Sequence, residues 1–214
     1  MSSNFSFTTG EYYHIYNRGV DKRDIFLDDS DYFRFLKSLK EFNQLEPVVS
    51  LYINDRIKPN VGVRPLQNEN DELVEIIAFN LIPNHYHLIL KQLKDGGISE
   101  FMKRIGGGYT SYFNYKNERS GALFQGKFKA VHVTSNEKLL FLSAYVNGNH
   151  IVHGAEGKIF SSLREYSTGK NSLCNIKLIL DQFKNANDYL EYVQNTAKEI
   201  NKIRAGAKGD IIED

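Results

Sequence analysis

Apolar and polar positions change period several times along the chain, and each change marks an element. Glu11 to Gly19 (EYYHIYNRG) is aromatic and β-branched up to a turn signal and predicts a strand. Asp28-Asp29-Ser30-Asp31 then supplies an N-cap before Tyr32, Phe33, Phe35, Leu36, Leu39 and Phe42, whose spacing is helical. Asn54 to Asp71, with Pro59, Gly62 and Pro65, predicts a loop or small insertion. Leu73 to Leu93 reads as two apolar strands divided at Pro83-Asn84. Ile98 to about Asn117 has Phe101, Ile105, Tyr109, Tyr112 and Phe113 at helical intervals, while Gly106-Gly107-Gly108 should weaken that helix or admit a close neighbour. Gly126 to Thr134 alternates as a strand, and Ser135-Asn136 opens an apolar helix running through Tyr145 towards Asn149.

The order β, α, β, β, α, β followed by a helix implies an α+β fold. It is the ferredoxin-like βαββαβ arrangement, an antiparallel sheet with helices on one face, here followed by the helix that carries Tyr145. After Gly154 come a Ser-rich segment, a helix from about Asn175 to Arg204 and a tail from Ala205 to Asp214 expected to be mobile. The expected organisation is therefore one domain over 1–154 and a largely helical C-terminal extension over 155–214.

Composition narrows the class. With 41% hydrophobic and 25% charged residues in 214, the chain is that of a globular protein, and collagenous, low-complexity and globally disordered readings are excluded. No apolar run reaches the roughly 18 residues of a membrane span, and the N-terminus has no cationic region before an apolar stretch. A cytoplasmic protein with no membrane partner is the expectation. The single cysteine, Cys174, offers neither an intramolecular disulfide nor a multi-thiolate metal site.

Two constellations carry candidate chemistry. In PNHYHLIL, His85 and His87 are two apart on a predicted strand, so both imidazoles share one face, where they could bind one divalent metal. On the last helix Tyr145 and Asn149 stand at i and i+4, which places a phenol and an amide one above the other. Taken singly, each also reads as packing.

Together they resemble a known family. PNHYHLIL is similar to the His-hydrophobic-His element of the HUH nucleases, and the span from about Tyr12 to Gly154 resembles the single-tyrosine HUH transposases, most of all the REP-associated tyrosine transposases. YHIYNRG at 13–19, IFLDDSDYFRFL at 25–36, SGALFQGKFKAV at 120–131, YVNGNHIVHG at 145–154 and SSLREY at 161–166 support it in order. The resemblance implies a metal-dependent endonuclease and strand transferase acting on single-stranded DNA with hairpin structure. Tyr145 falls on the nucleophile, His85 and His87 on the paired ligands, and Asn149 on the third, amide ligand. Tyr86, the loop at 54–71 and Gly148-Asn149-His150 depart from the family's usual pattern, and His150 stands beside Asn149 as an alternative ligand.

This chemistry would use a divalent cation, Mg²⁺ or Mn²⁺, to polarise the scissile phosphate while Tyr145 attacks phosphorus, leaving a 5′-phosphotyrosine and a free 3′-OH. The covalent bond conserves energy for rejoining, in keeping with the absence of a GxxxxGK[ST] element and hence of a nucleotide cofactor. Tyr112 is the runner-up nucleophile. Six basic residues (Lys103, Arg104, Lys116, Arg119, Lys127, Lys129) against two acidic ones between Ile98 and Thr134 give a local +4 inside a chain of net charge +1. With interleaved aromatic residues, and with Arg18 after the first strand, they are candidate DNA contacts. A non-cleaving protein that binds DNA or RNA hairpins on the same fold is the alternative. The sequence is compatible with a monomer acting in cis and with a homodimer that pairs Tyr145 with its partner's histidines.

Overall fold

The computed structural model describes residues 6–46, 71–154 and 159–206. Strands β1 (Tyr12–Arg18), β2 (Val74–Ile82), β3 (His85–Gln92), β4 (Lys129–Val133) and β5 (Phe160–Ser161) form one sheet in the order β4-β1-β3-β2-β5. Every neighbouring pair is antiparallel. With α1 (Asp29–Glu41) between β1 and β2, and α2 (Gly97–Lys116) between β3 and β4, this is the expected βαββαβ fold with a fifth strand added beside β2. The predicted loop at 54–71 lies, but for Asp71, outside the described residues.

Strand alternation assigns the two faces. Tyr86 points towards α1 and α2, its ring meeting Phe35 and Phe124, and Tyr109 of α2 donates its hydroxyl to the Ile25 carbonyl at 2.6 Å. His85 and His87 therefore point to the other face. There the helix α3 (Asn136–Val152) lies, the Tyr145 ring 5.6 Å from that of His87. The helices of the βαββαβ unit thus share one face, and the tyrosine helix covers the opposite one.

Local sequence sets these elements. Asp28 caps α1 by accepting from the amides of Ser30 and Asp31. Ser135 caps α3 by accepting from Lys138. The triple glycine does not interrupt α2. Gly108 instead admits the end of α1, since a Cβ there would fall 2.7 Å from the Phe42 ring.

Beyond residue 159 the expected single helix divides into α5 (Lys177–Leu180) and α6 (Ala186–Gly206), after a short α4 (Leu163–Thr168). Asn185 explains the break: its side chain accepts from the Asp188 amide and starts a new helix. Tyr166, Ile179, Tyr189, Val193, Ala197 and Ile200 are buried in the same hydrophobic cluster as the sheet. The tail lies outside the described residues from 207 on.

Candidate active site

The register of the sheet assembles one side of a cleft. Tyr16 stands opposite His87 on one side and Asn80 opposite it on the other, while Arg18 stands opposite His85. These pairs share the face that α3 covers. The cleft, of about 520 Å³, is lined by His14, Tyr16, Arg18, Lys22, His85, His87, Lys129 and Tyr145, among others. The floor beside it is held by backbone bonds. The Gly19 amide donates to Asn84, and the amides of Ile25 and Phe26 donate to Pro83, so the β2–β3 turn and the segment after β1 are tied together. Within that segment Asp21 and Lys22 adopt left-handed backbone angles (φ 56° and 60°), which turn the chain so that Lys22 reaches the cleft.

The two imidazoles have defined outer partners. His87 Nδ1 lies 2.9 Å from His14 Nε2, with the rings stacked, and His85 Nδ1 is hydrogen-bonded to Asn84 Oδ1. In the tautomers in which each Nδ1–H donates, both Nε2 atoms present a lone pair to the cleft side. Burial, with smaller contributions from the neighbouring His14, His85, His153 and Arg204, pushes the His87 pKa well below its ordinary value. Burial likewise lowers His14 to about 4. Both rings are therefore neutral at physiological pH, the state in which imidazole binds a metal.

Helix α3 brings its donors to the histidines by periodicity. Tyr145, Asn149 and His153, the residue just past its end, succeed one another at intervals of four. The first has its ring against His87 and the last has its ring 5.0 Å from that of His85. Asn149 stands between them on that face and is wholly buried. Its Oδ1 and Nδ2 have no hydrogen-bond partner among the described residues, and the same holds for His87 Nε2. Orphaned buried polar atoms carry a cost that a ligand can remove. Among the described residues no group of three or more His, Cys, Asp or Glu side chains is disposed to hold a metal, so a cation here needs the amide beside the imidazoles. A carboxamide oxygen next to two imidazoles is a suitable donor set for a divalent ion. His150, the alternative ligand, lines a different pocket with Ile151, Arg164 and Gln194.

The basic candidates separate into two groups. Arg18 and Lys129 line the cleft, and Lys129 lies 5.9 Å over the Tyr16 ring. Lys127 is exposed just before β4. The others are on or after α2, behind the sheet, and bind within the molecule. Lys103 pairs with Glu100. Arg104 pairs with Glu100 and donates to the carbonyls of Phe42, Gln44, Leu45 and Glu46, closing the end of α1. Lys116 contacts Asp28 and the buried Asp31, and Arg119 is held by Asn114 and Ala122. Tyr112 is likewise engaged there, donating to Asp31. Sequence patterning missed His14 and Lys22, which line the cleft, and Asn80 and His153, which stand beside His87 and His85. For His14 and Asn80 the signal was present as polar residues inside otherwise apolar strands.

The family described as "Transposase IS200 like" matches residues 51–149, the stretch that contains His85, His87, Tyr145 and Asn149. No curated protein matches the chain. Among solved structures, a REP-associated tyrosine transposase bound to a REP hairpin is similar at 14% identity, covering 81% of this chain and 89% of its own, with a TM-score of 0.50. The family match over 51–149 takes in a little under half of the chain, and the solved structure is similar to it in fold.

Proposed function

We propose that the protein is a transposase that cuts and rejoins single-stranded DNA, with Tyr145 as nucleophile and a divalent ion held by His85, His87 and Asn149. The observation that carries this reading is the convergence of the Tyr145 ring on His87 together with the orphaned, buried Asn149 amide one helical turn away. Bound there, Mg²⁺ or Mn²⁺ would polarise the scissile phosphate and offset its charge.

The chain's own residues supply the rest. His14 and Asn84 hold the two imidazoles by their Nδ1 atoms and fix the direction of each Nε2. The covering helix keeps water from much of the Tyr145 side chain, which is only 2% exposed. The phenol oxygen bonds to phosphorus and loses its proton to solvent as the P–O3′ bond breaks, and the leaving 3′-oxygen takes a proton from solvent to become the free 3′-OH. In the reverse step a 3′-OH attacks the phosphotyrosine and the phenol departs, more easily than an alkoxide because its conjugate acid is stronger. Arg18, Lys22 and Lys129 offer cations to the strand's phosphates at the mouth of the cleft, and Tyr16 offers a ring for a base to stack on. The REP hairpin bound by the structurally similar transposase supports hairpin-bearing DNA as the partner here.

The test is to incubate the protein with Mn²⁺ and labelled single strands that flank a hairpin. A denaturation-resistant protein–DNA adduct that Tyr145→Phe abolishes is expected. Salt-sensitive hairpin binding with no adduct under any divalent ion would instead identify a non-cleaving binding protein.

A further inference from the structure

Helix α3 is buried on the side facing away from the histidines as well as on the side facing them: Ser143, Ala144, Val146, Asn147 and Gly148 are all inaccessible along with Tyr145 and Asn149. What covers that second side is the C-terminal segment. Asn147 donates to the Tyr189 hydroxyl of α6 at 2.8 Å, and its Oδ1 accepts from Ser162 at 2.7 Å. Ser162 is in turn bonded to the Phe79 backbone of β2, and Tyr189 donates to Ser143 at 3.3 Å. Two residues from Tyr145, then, a fully buried amide links the tyrosine helix to α6 and to the sheet.

Gly148 completes this contact. A Cβ there would lie 3.2 Å from Val193 Cγ1 and 3.4 Å from both the Ala197 Cβ and the Val193 carbonyl oxygen, so α6 packs on the bare backbone of α3 beside Asn149. One turn on, Asn201 reaches the Ile151 carbonyl. Gly148 is therefore where the C-terminal helix seats.

Resting on the functional reading above, we propose that α6 is the positioning element of the tyrosine helix: through Asn147, Gly148, Ser162 and Tyr189 it clamps α3 onto the sheet, so that Tyr145 and Asn149 meet His85 and His87. Asn147 and Gly148 touch no substrate. They set the height and rotation of a helix whose opposite face carries the nucleophile, and a displacement of about 1 Å there would be enough to cost on the order of 100-fold in rate.

The experiment uses the full chain. Gly148→Val should lower the rate of adduct formation at least tenfold while leaving hairpin affinity within twofold. Gly148→Val with Val193→Ala, which moves the branched side chain across the interface at a net gain of one methyl, should recover most of the rate. A Gly148→Val protein at wild-type rate, or one whose hairpin affinity falls as far as its rate, would overturn the proposal. A wild-type chain inert towards the strand would count against the functional reading alone. The clamp would then be judged by hydrogen exchange at the Tyr145–Asn149 amides, where faster exchange in Gly148→Val supports it and unchanged exchange refutes it.

Discussion

Replacing Asn149 by Leu separates stability from metal binding. The side chain keeps its branching at Cγ, but the orphaned Oδ1 and Nδ2 are gone. A buried polar group left without a partner costs about 1–3 kcal/mol, and an apolar replacement of similar shape removes that cost. In chelator, Asn149→Leu should therefore be more stable than wild type by about 2 kcal/mol. For a domain of this size that corresponds to a rise of about 4–8 °C in melting temperature. Metal reverses the order. A ligand that binds only the folded state at 100 times its Kd adds about 2.7 kcal/mol, which wild type should show and the variant should lack. Urea unfolding with EDTA and with Mn²⁺, on both proteins, measures all four stabilities. A variant less stable than wild type in EDTA would mean that the amide serves the fold, and a variant that Mn²⁺ still stabilises would remove Asn149 from the ligand set.

Other outcomes follow from the same contacts. His14 is held at about 4 against an ordinary 6.5, so its neutral form is preferred in the folded state. Stability from this preference is complete above pH 6.5 and is lost as pH falls towards 4, by about 3 kcal/mol in total; urea titrations of metal-free His14→Phe should show that much less acid sensitivity than wild type. Lys116→Met should cost about 3 kcal/mol by stranding the buried Asp31 carboxylate, yet leave hairpin affinity unchanged. Binding titrations across salt should show the slope falling by about 1 for Lys129→Ala and not at all for Lys103→Ala.

Much of this architecture was legible in the sequence because it rests on short-range signals. The caps at Asp28 and Ser135, the Pro83-Asn84 turn and the apolar periods all act within a few residues of where they are written. The His-x-His spacing and the Tyr145–Asn149 interval also place their side chains on shared faces, whatever the tertiary structure. What the sequence hid depends on distant neighbours. Lys116 and Arg104 are basic in any window, but only packing shows that Asp31 and the end of α1 consume them. The role of Gly148 stays hidden until Val193 and Ala197, some 45 residues on, are seen against it. The pairing of His14 with His87 needs the β1–β3 register, which no local pattern encodes.

The most direct test of the central claim is the site of covalent attachment. After reaction with a labelled hairpin-flanking strand and nuclease trimming, tryptic peptides should carry the nucleotide mass on the segment 139–158, and fragmentation should place it on Tyr145. Attachment to another tyrosine such as Tyr112, or a released 5′-phosphate with no peptide carrying nucleotide, would contradict the account.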